Sequence, residues 1–215
     1  MNFYIEDVFD NALSEILEDR GHTKQRFYTI NANLARCNIR TAQFLDLYDA
    51  EYDCSYYYKY YHDYLFNKDW EFIPFDLIDF KYDCVFVKPD DRCFPGQVLN
   101  KKLRSKLTVC NPMCVVSTPK NVGPEYRLLF DRENYITGGL YSLHKALVES
   151  EPPPPLVNYI SSVIQKVQYF PDDLFVVDCT ITGCQYSIIG LNSFTCAELY
   201  GDMNKVADLC EKYYQ

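Results

Sequence analysis

Apolar residues recur along this chain with two periods, and the periods divide it into helices and strands. Spacings of three and four set Val8, Phe9, Leu13, Ile16 and Leu17 on one side of a helix over residues 5–20, with Gly21 as its stop. A second helix over 32–48 would bury Leu34, Phe44, Leu45 and Tyr48. Val157, Ile160, Val163, Ile164 and Val167 predict a third, opened by the prolines of 152–155, since proline is favourable just inside a helix start. Residues 202–213 predict a closing helix, with Val206, Leu209, Cys210 and Tyr213 inward and Asp202 near its N-terminus. Short apolar runs predict strands at 27–30, 84–88, 98–99, 113–117, 125–130 and 135–141, the last two joined by a turn at 131–134. Residues 70–75 lead into a connecting segment, with Pro74 as punctuation.

The clearest strand signal is a hairpin inside 175–202. Phe175, Val176 and Val177 run into Asp178, Thr182 and Gly183 supply the turn, and the return strand from Tyr186 to Leu191 ends at Asn192. An apolar strand would not choose a charge at Asp178. Hard cations take oxygen ligands, so a carboxylate and an amide on paired strands can share one Mg²⁺ with nucleotide phosphates. Equally, Asp178 can cap a strand and Asn192 open a turn.

Two other polar positions break the pattern. Lys88 ends an apolar run and precedes a loop, 92–97, that contains Gly96. A strand-end ammonium beside backbone N–H groups suits phosphate, although the spacing is not that of a P-loop and an ordinary hairpin with a surface lysine fits too. In 125–130, alternation puts Glu125, Arg127 and Leu129 on one face and Tyr126, Leu128 and Phe130 on the other, so Arg127 faces a cleft or solvent. Tyr52, Tyr56, Tyr57, Tyr58, Tyr60, Tyr61 and Tyr64 form a cluster that could stack bases or sugars. Without interleaved arginines, in an acidic chain, it reads as an aromatic packing face.

The 215 residues suffice for one large domain or two small lobes, and nearly half are hydrophobic, so the chain folds. The net charge of −9 argues against a generic grip on nucleic acid or an anionic membrane. No window approaches the apolar length of a membrane span, and the acidic first ten residues do not read as a signal peptide. The ten cysteines include no Cys-x-x-Cys; Cys110–Cys114 and Cys179–Cys184 are the closest spacings, and His22, His62 and His144 lie near neither. The expectation is reduced thiols in a cytoplasm and no structural metal.

Taken in order, a strand-end lysine with its loop, a strand arginine, then an aspartate and an asparagine on a final hairpin resemble the ATP-grasp superfamily. The likeness extends to its small bacterial and phage-borne clade named for two arginines and a lysine. It is carried by FVKPDDRCFPGQVL (86–99), VVSTPKNVGPEYRLLF (115–130), YITGGLY (135–141), LFVVDCTITGCQYSIIGLNSF (174–194) and LYGDMNKV (199–206), and covers about residues 84–213. The resemblance implies an α+β, ATP-grasp-like fold: two mainly antiparallel sheet lobes flanked by helices, with a short α/β N-terminal lobe. The lobe would be 1–80 and the grasp domain 81–215.

It also implies an ATP-dependent carboxylate–amine ligase acting through an acylphosphate, its substrates ATP, an acid and an amine, a peptide among the candidates. Lys88 and Arg127 would be catalytic. Lys88, Phe94, Gly96 and Arg127 would hold ATP, and Asp178 and Asn192 would hold Mg²⁺. Three positions depart from the family pattern. Gly190-Leu191-Asn192 stands for Glu-x-Asn, Ser142 follows Tyr141 where an arginine is expected, and Ala197-Glu198 replaces a small Ser-Gly pair. Glu198 or Asp202 within metal reach of Asp178 would make good the lost carboxylate. The alternative is a degenerate grasp domain that binds nucleotide or a protein partner without turnover. A structural phage component is a third reading; a phage-encoded chain would work in the host cytoplasm.

Overall fold

Three sheets take up the apolar runs. The computed structural model describes residues 1–6, 10–79, 84–107, 111–141 and 151–214; expectations that fall on Val8, Phe9, Cys110, Ser142 and His144 lie outside the described residues. The N-terminal part holds β1 (Asn2–Ile5), α1 (Asn11–Asp19), β2 (Thr23–Lys24), β3 (Leu34–Arg36), α2 (Ile39–Phe44) and α3 (Cys54–Tyr61). Then follow β4 (Glu71–Pro74), β5 (Val85–Pro89), β6 (Gln97–Leu99), α4 (Lys101–Arg104) and β7 (Met113–Ser117). The remainder is β8 (Glu125–Asp131), β9 (Asn134–Tyr141), α5 (Pro154–Val167), β10 (Leu174–Thr182), β11 (Gln185–Ser193) and α6 (Met203–Tyr213). β2-β1-β3 is a small parallel sheet; β4-β7-β5-β6 and β11-β10-β8-β9 are antiparallel. The chain therefore has the two antiparallel sheets and the short α/β portion that the resemblance implies. No helix among the described residues is long and apolar enough to cross a membrane.

β10 is central, and its unbroken apolar run reflects burial on both faces. Phe175, Val177 and Cys179 join the buried tyrosines of α3 and Leu156, Ile160, Val163 and Ile164 of α5. Leu174 and Val176 point the other way, into a core with Val206, Ala207, Leu209 and Cys210 of α6 and Phe3, Ile5, Leu13 and Leu17 from the N-terminal part. The tyrosine cluster is thus a packing face: Tyr52, Tyr57, Tyr58 and Tyr61 are buried, and Tyr61 donates to the Tyr169 carbonyl at 2.8 Å.

One buried ion pair ties the N-terminal sheet to the segment after β11. Arg36 is fully buried, donates through Nε to Asp10 Oδ2 at 2.7 Å and reaches the carbonyls of Phe194 and Ala197. Asp10 in turn accepts from the Leu199 amide at 3.2 Å.

Several expectations change. Residues 27–30 form no strand, and Phe27 and Ile30 are 70% and 92% exposed; the sheet edge is made before them by β2. The helix expected over 32–48 splits, because Asn38 caps α2 by accepting from the amides of Arg40 and Thr41, leaving Leu34 to β3. Phe44, expected inside, is 88% exposed. The helix expected from residue 5 starts at Asn11, since Phe3 and Ile5 alternate in β1. Glu71–Pro74 is an edge strand paired with β7 rather than a connection, a place where proline costs little. Thr182 belongs to β10, and the turn falls on Gly183, at φ 61°, and Cys184.

A candidate anion-binding cleft

Register builds the floor of the site. On the sheet face that α6 covers at one end, Arg127 of β8 lies opposite Gly139 of β9 and Asp178 of β10, and Asp178 lies opposite Gly190 of β11. Strand alternation puts all four on one side, beyond the apolar pair Leu129 and Val176. Arg127 grips Asp178 with two parallel bonds, Nε to Oδ1 at 2.7 Å and NH2 to Oδ2 at 3.0 Å. Its third arm donates to the Glu198 carbonyl at 3.1 Å, and its guanidinium lies 4.2 Å from the centre of the Tyr141 ring. Burial would lower the Arg127 pKa, but the facing Asp178 carboxylate outweighs that and raises it, so the guanidinium stays charged. At the end of β8, Glu125 is pushed up by burial and then by Asp178.

Asn192 joins this floor. Its amide donates to Asp178 Oδ2 at 2.8 Å and its carbonyl oxygen accepts from Arg92 at 2.7 Å. Arg92, in the loop between β5 and β6, also donates to the backbone carbonyls of Tyr52 and Leu191 at 2.8 and 2.9 Å. Lys88 projects from β5 on the face opposite buried Val87, and its Nζ stands 3.3 Å from the Tyr57 hydroxyl. That hydroxyl is held well above the usual phenol range by burial.

Lys88, Phe94, Gly96, Arg127 and Asn192, five of the six predicted site residues, line one cleft of about 520 Å³ between the antiparallel sheets. Asp178, the sixth, is bound to both Arg127 and Asn192. Sequence reasoning missed Arg92 and Arg40, which line the same cleft, and Tyr57. Arg92 was visible within the loop following Lys88, as a cation two residues from Phe94; Arg40 carried no local signal. The described lining thus includes four cations, Arg40, Lys88, Arg92 and Arg127, and one carboxylate residue, Glu198, in a chain of net charge −9. Such a concentration of donors attracts phosphate or carboxylate.

A divalent metal fits these residues poorly. Both oxygens of Asp178 already accept from Arg127, and the Asn192 oxygen accepts from Arg92. Glu198 accepts from the Tyr200 hydroxyl at 2.9 Å, and Asp202 caps α6 through the amides of Asn204 and Lys205. Among the described residues no group of three His, Cys, Asp or Glu side chains is placed to hold a metal ion.

The sequence matches no family model and no curated protein. By structure the chain is similar to a RimK domain protein ATP-grasp from Sphaerobacter thermophilus, at 12% identity and a TM-score of 0.62, over 99% of this chain and 98% of that one. It is similar to D-cycloserine synthetase DcsG at 13% identity and a TM-score of 0.64, over 99% of both chains. A third likeness is to the ATP-grasp ligase PsnB complexed with precursor peptide PsnA2 and AMPPNP, at 11% identity and a TM-score of 0.58, over 100% of this chain and 96% of that one. With these likenesses spanning nearly its whole length, the chain has the ATP-grasp fold.

Proposed function

We propose that the chain is an ATP-dependent carboxylate–amine ligase of the ATP-grasp type. The observation that carries this reading is the convergence of Lys88, Arg92 and Arg127 on one cleft between two antiparallel sheets. In this reading residues 1–80 form an N-terminal lobe and 81–215 the nucleotide-binding domain. Lys88 contacts the phosphates, the loop at Phe94 and Gly96 covers them, and Arg127 steadies the oxygens of the transferring phosphoryl group. A substrate carboxylate oxygen attacks the γ-phosphorus, the bond to the β-phosphate oxygen breaks, and ADP leaves. The amine then attacks the acylphosphate carbon, loses a proton, and expels inorganic phosphate. The protein's part is to position the reactants and meet developing charge with fixed cations. Asp178 and Asn192, the pair that the resemblance assigns to Mg²⁺, here orient Arg127 and Arg92. The name of the PsnB structure, complexed with a precursor peptide, suggests a peptide as the first substrate to try, with single amino acids beside it.

The test is ADP release coupled to amide formation over a panel of amino acids and peptides. Release that needs both an acid and an amine, and disappears in Lys88→Ala, supports a ligase. Gly190, where the family carries a carboxylate, favours a second reading: a grasp domain that binds nucleotide, or a protein partner, without turnover. ATP binding with no ADP release across the panel would select it.

A further inference from the structure

The place of the missing metal carboxylate is taken up by cations. A Cβ built on Gly190 would stand 3.0 Å from Lys88 Nζ and 3.0 Å from the Tyr57 hydroxyl oxygen. One and two residues further along the same strand, Arg92 occupies the Leu191 carbonyl and the Asn192 side chain. Its guanidinium is surrounded by three protein oxygens, those of Asn192, Leu191 and Tyr52, at 2.7 to 2.9 Å. We propose that Arg92 is the resident cation of this cleft, and that the cleft takes the phosphate chain of a nucleoside di- or triphosphate without a divalent metal.

Charge and geometry both lead there, and the inference rests on the nucleotide reading above. A hard divalent ion needs anionic oxygen, whereas the carboxylate of the floor, Asp178, already accepts three bonds from Arg127 and Asn192, and Glu198 accepts from the Tyr200 hydroxyl. Lys88, Arg92 and Arg127 already set three positive charges against an anionic phosphate chain, which is the neutralising work a divalent ion would otherwise do. An arginine has five N–H donors; the three bonds described above use both hydrogens of one terminal nitrogen and one of the other. The remaining N–H groups are suited to phosphate oxygens, which a planar guanidinium recognises better than a point charge does.

The backbone agrees. Arg92 sits at φ 54°, a left-handed conformation that a residue with a side chain adopts at a cost and keeps where its surroundings fix it. Its anchors on Tyr52, Leu191 and Asn192 supply that fixing.

The experiment is calorimetric titration of the full chain with ATP, once in excess EDTA and once in Mg²⁺, followed by Arg92→Gln under both conditions. The expected result is wild-type affinity equal within about threefold in the two buffers, and at least tenfold weaker binding by Arg92→Gln with its circular dichroism unchanged. Binding at least tenfold tighter in Mg²⁺ than in EDTA would overturn the inference while leaving the nucleotide site standing. So would unaltered affinity in Arg92→Gln. Should that variant fail to fold, the wild-type comparison decides the matter without it. Absence of ATP binding in both buffers would overturn the nucleotide reading itself, and this inference with it.

Discussion

Arg127→Met removes the cation from the floor of the cleft while keeping most of its apolar volume. Arg127 and Asp178 are 10% and 13% exposed, so the substitution leaves a largely buried carboxylate that has lost two of its three described donors. Breaking a buried ion pair from one side costs about 3–5 kcal/mol. Asp178 keeps the Asn192 amide, which places the expectation at the lower end, about 3 kcal/mol, against a total stability on the order of 5–15 kcal/mol. The loss would be read from urea unfolding at pH 7, as a lower midpoint with an unchanged slope. Neutralising the stranded carboxylate in Arg127→Met/Asp178→Asn should regain at least about 1 kcal/mol, since groups in direct contact couple by that order. A single substitution costing under about 1 kcal/mol, or a double variant no more stable than the single one, would refute the argument that this pair holds the polar row.

Three further outcomes are expected. Arg36→Met, which strands a carboxylate at Asp10 only 4% exposed, should cost about 4 kcal/mol by thermal or urea unfolding, and a cost below about 1 kcal/mol would rule out a structural pair there. Gly123→Ala should destabilise by about 1–3 kcal/mol, because its methyl would run into the Ile181 backbone carbonyl; an unchanged midpoint would contradict that close approach. Burial pushes the Asp53 carboxyl up to about 6 from its ordinary 3.8, against the lowering effect of the Tyr48 hydroxyl bond. The folded chain therefore binds this proton more tightly than the unfolded chain, so the Asp53 contribution to stability falls as pH rises from about 4 to about 6. Asp53→Asn should flatten the urea midpoint over that window, and identical pH profiles for variant and wild type would show that Asp53 does not titrate there.

The strand residues of the site were legible because alternation and strand ends are local properties. Lys88, Arg127, Asp178 and Asn192 each interrupt or end an apolar run, and the sheets bring those interruptions to one side. Arg40 and Tyr57 were not legible as site residues. Their place beside the cleft depends on where α2 and α3 dock, and docking leaves no mark within ten residues of either. The same limit explains the errors nearer the N-terminus. Phe27 and Ile30, expected in a strand, and Phe44, expected inside a helix face, are apolar residues left on the surface, where composition alone does not fix position. Pro74 makes residues 70–75 look like the approach to a connection, although an edge strand has room for a missing donor. In the hairpin of β10 and β11 only the turn moves, by one residue, because its apolar run is long and buried on both faces.

The Arg36 anchor also sets an order of events during synthesis. Arg36 bonds to Phe194 and Ala197, which follow it by 158 and 161 residues, and Asp10 bonds to Leu199, 189 residues on. Phe3 and Ile5 of β1 share their core with Val206, Leu209 and Cys210 of α6, farther still along the chain. β1 can pair with β2 and β3 as soon as they are made, whereas the bonds of Arg36 and Asp10 wait until Phe194, Ala197 and Leu199 have followed. Contacts of such sequence separation slow folding and leave apolar surface uncovered meanwhile. Phe3, Ile5 and Leu13 share one core with α6, so they stay uncovered on that side until α6 is made and are uncovered again if α6 detaches.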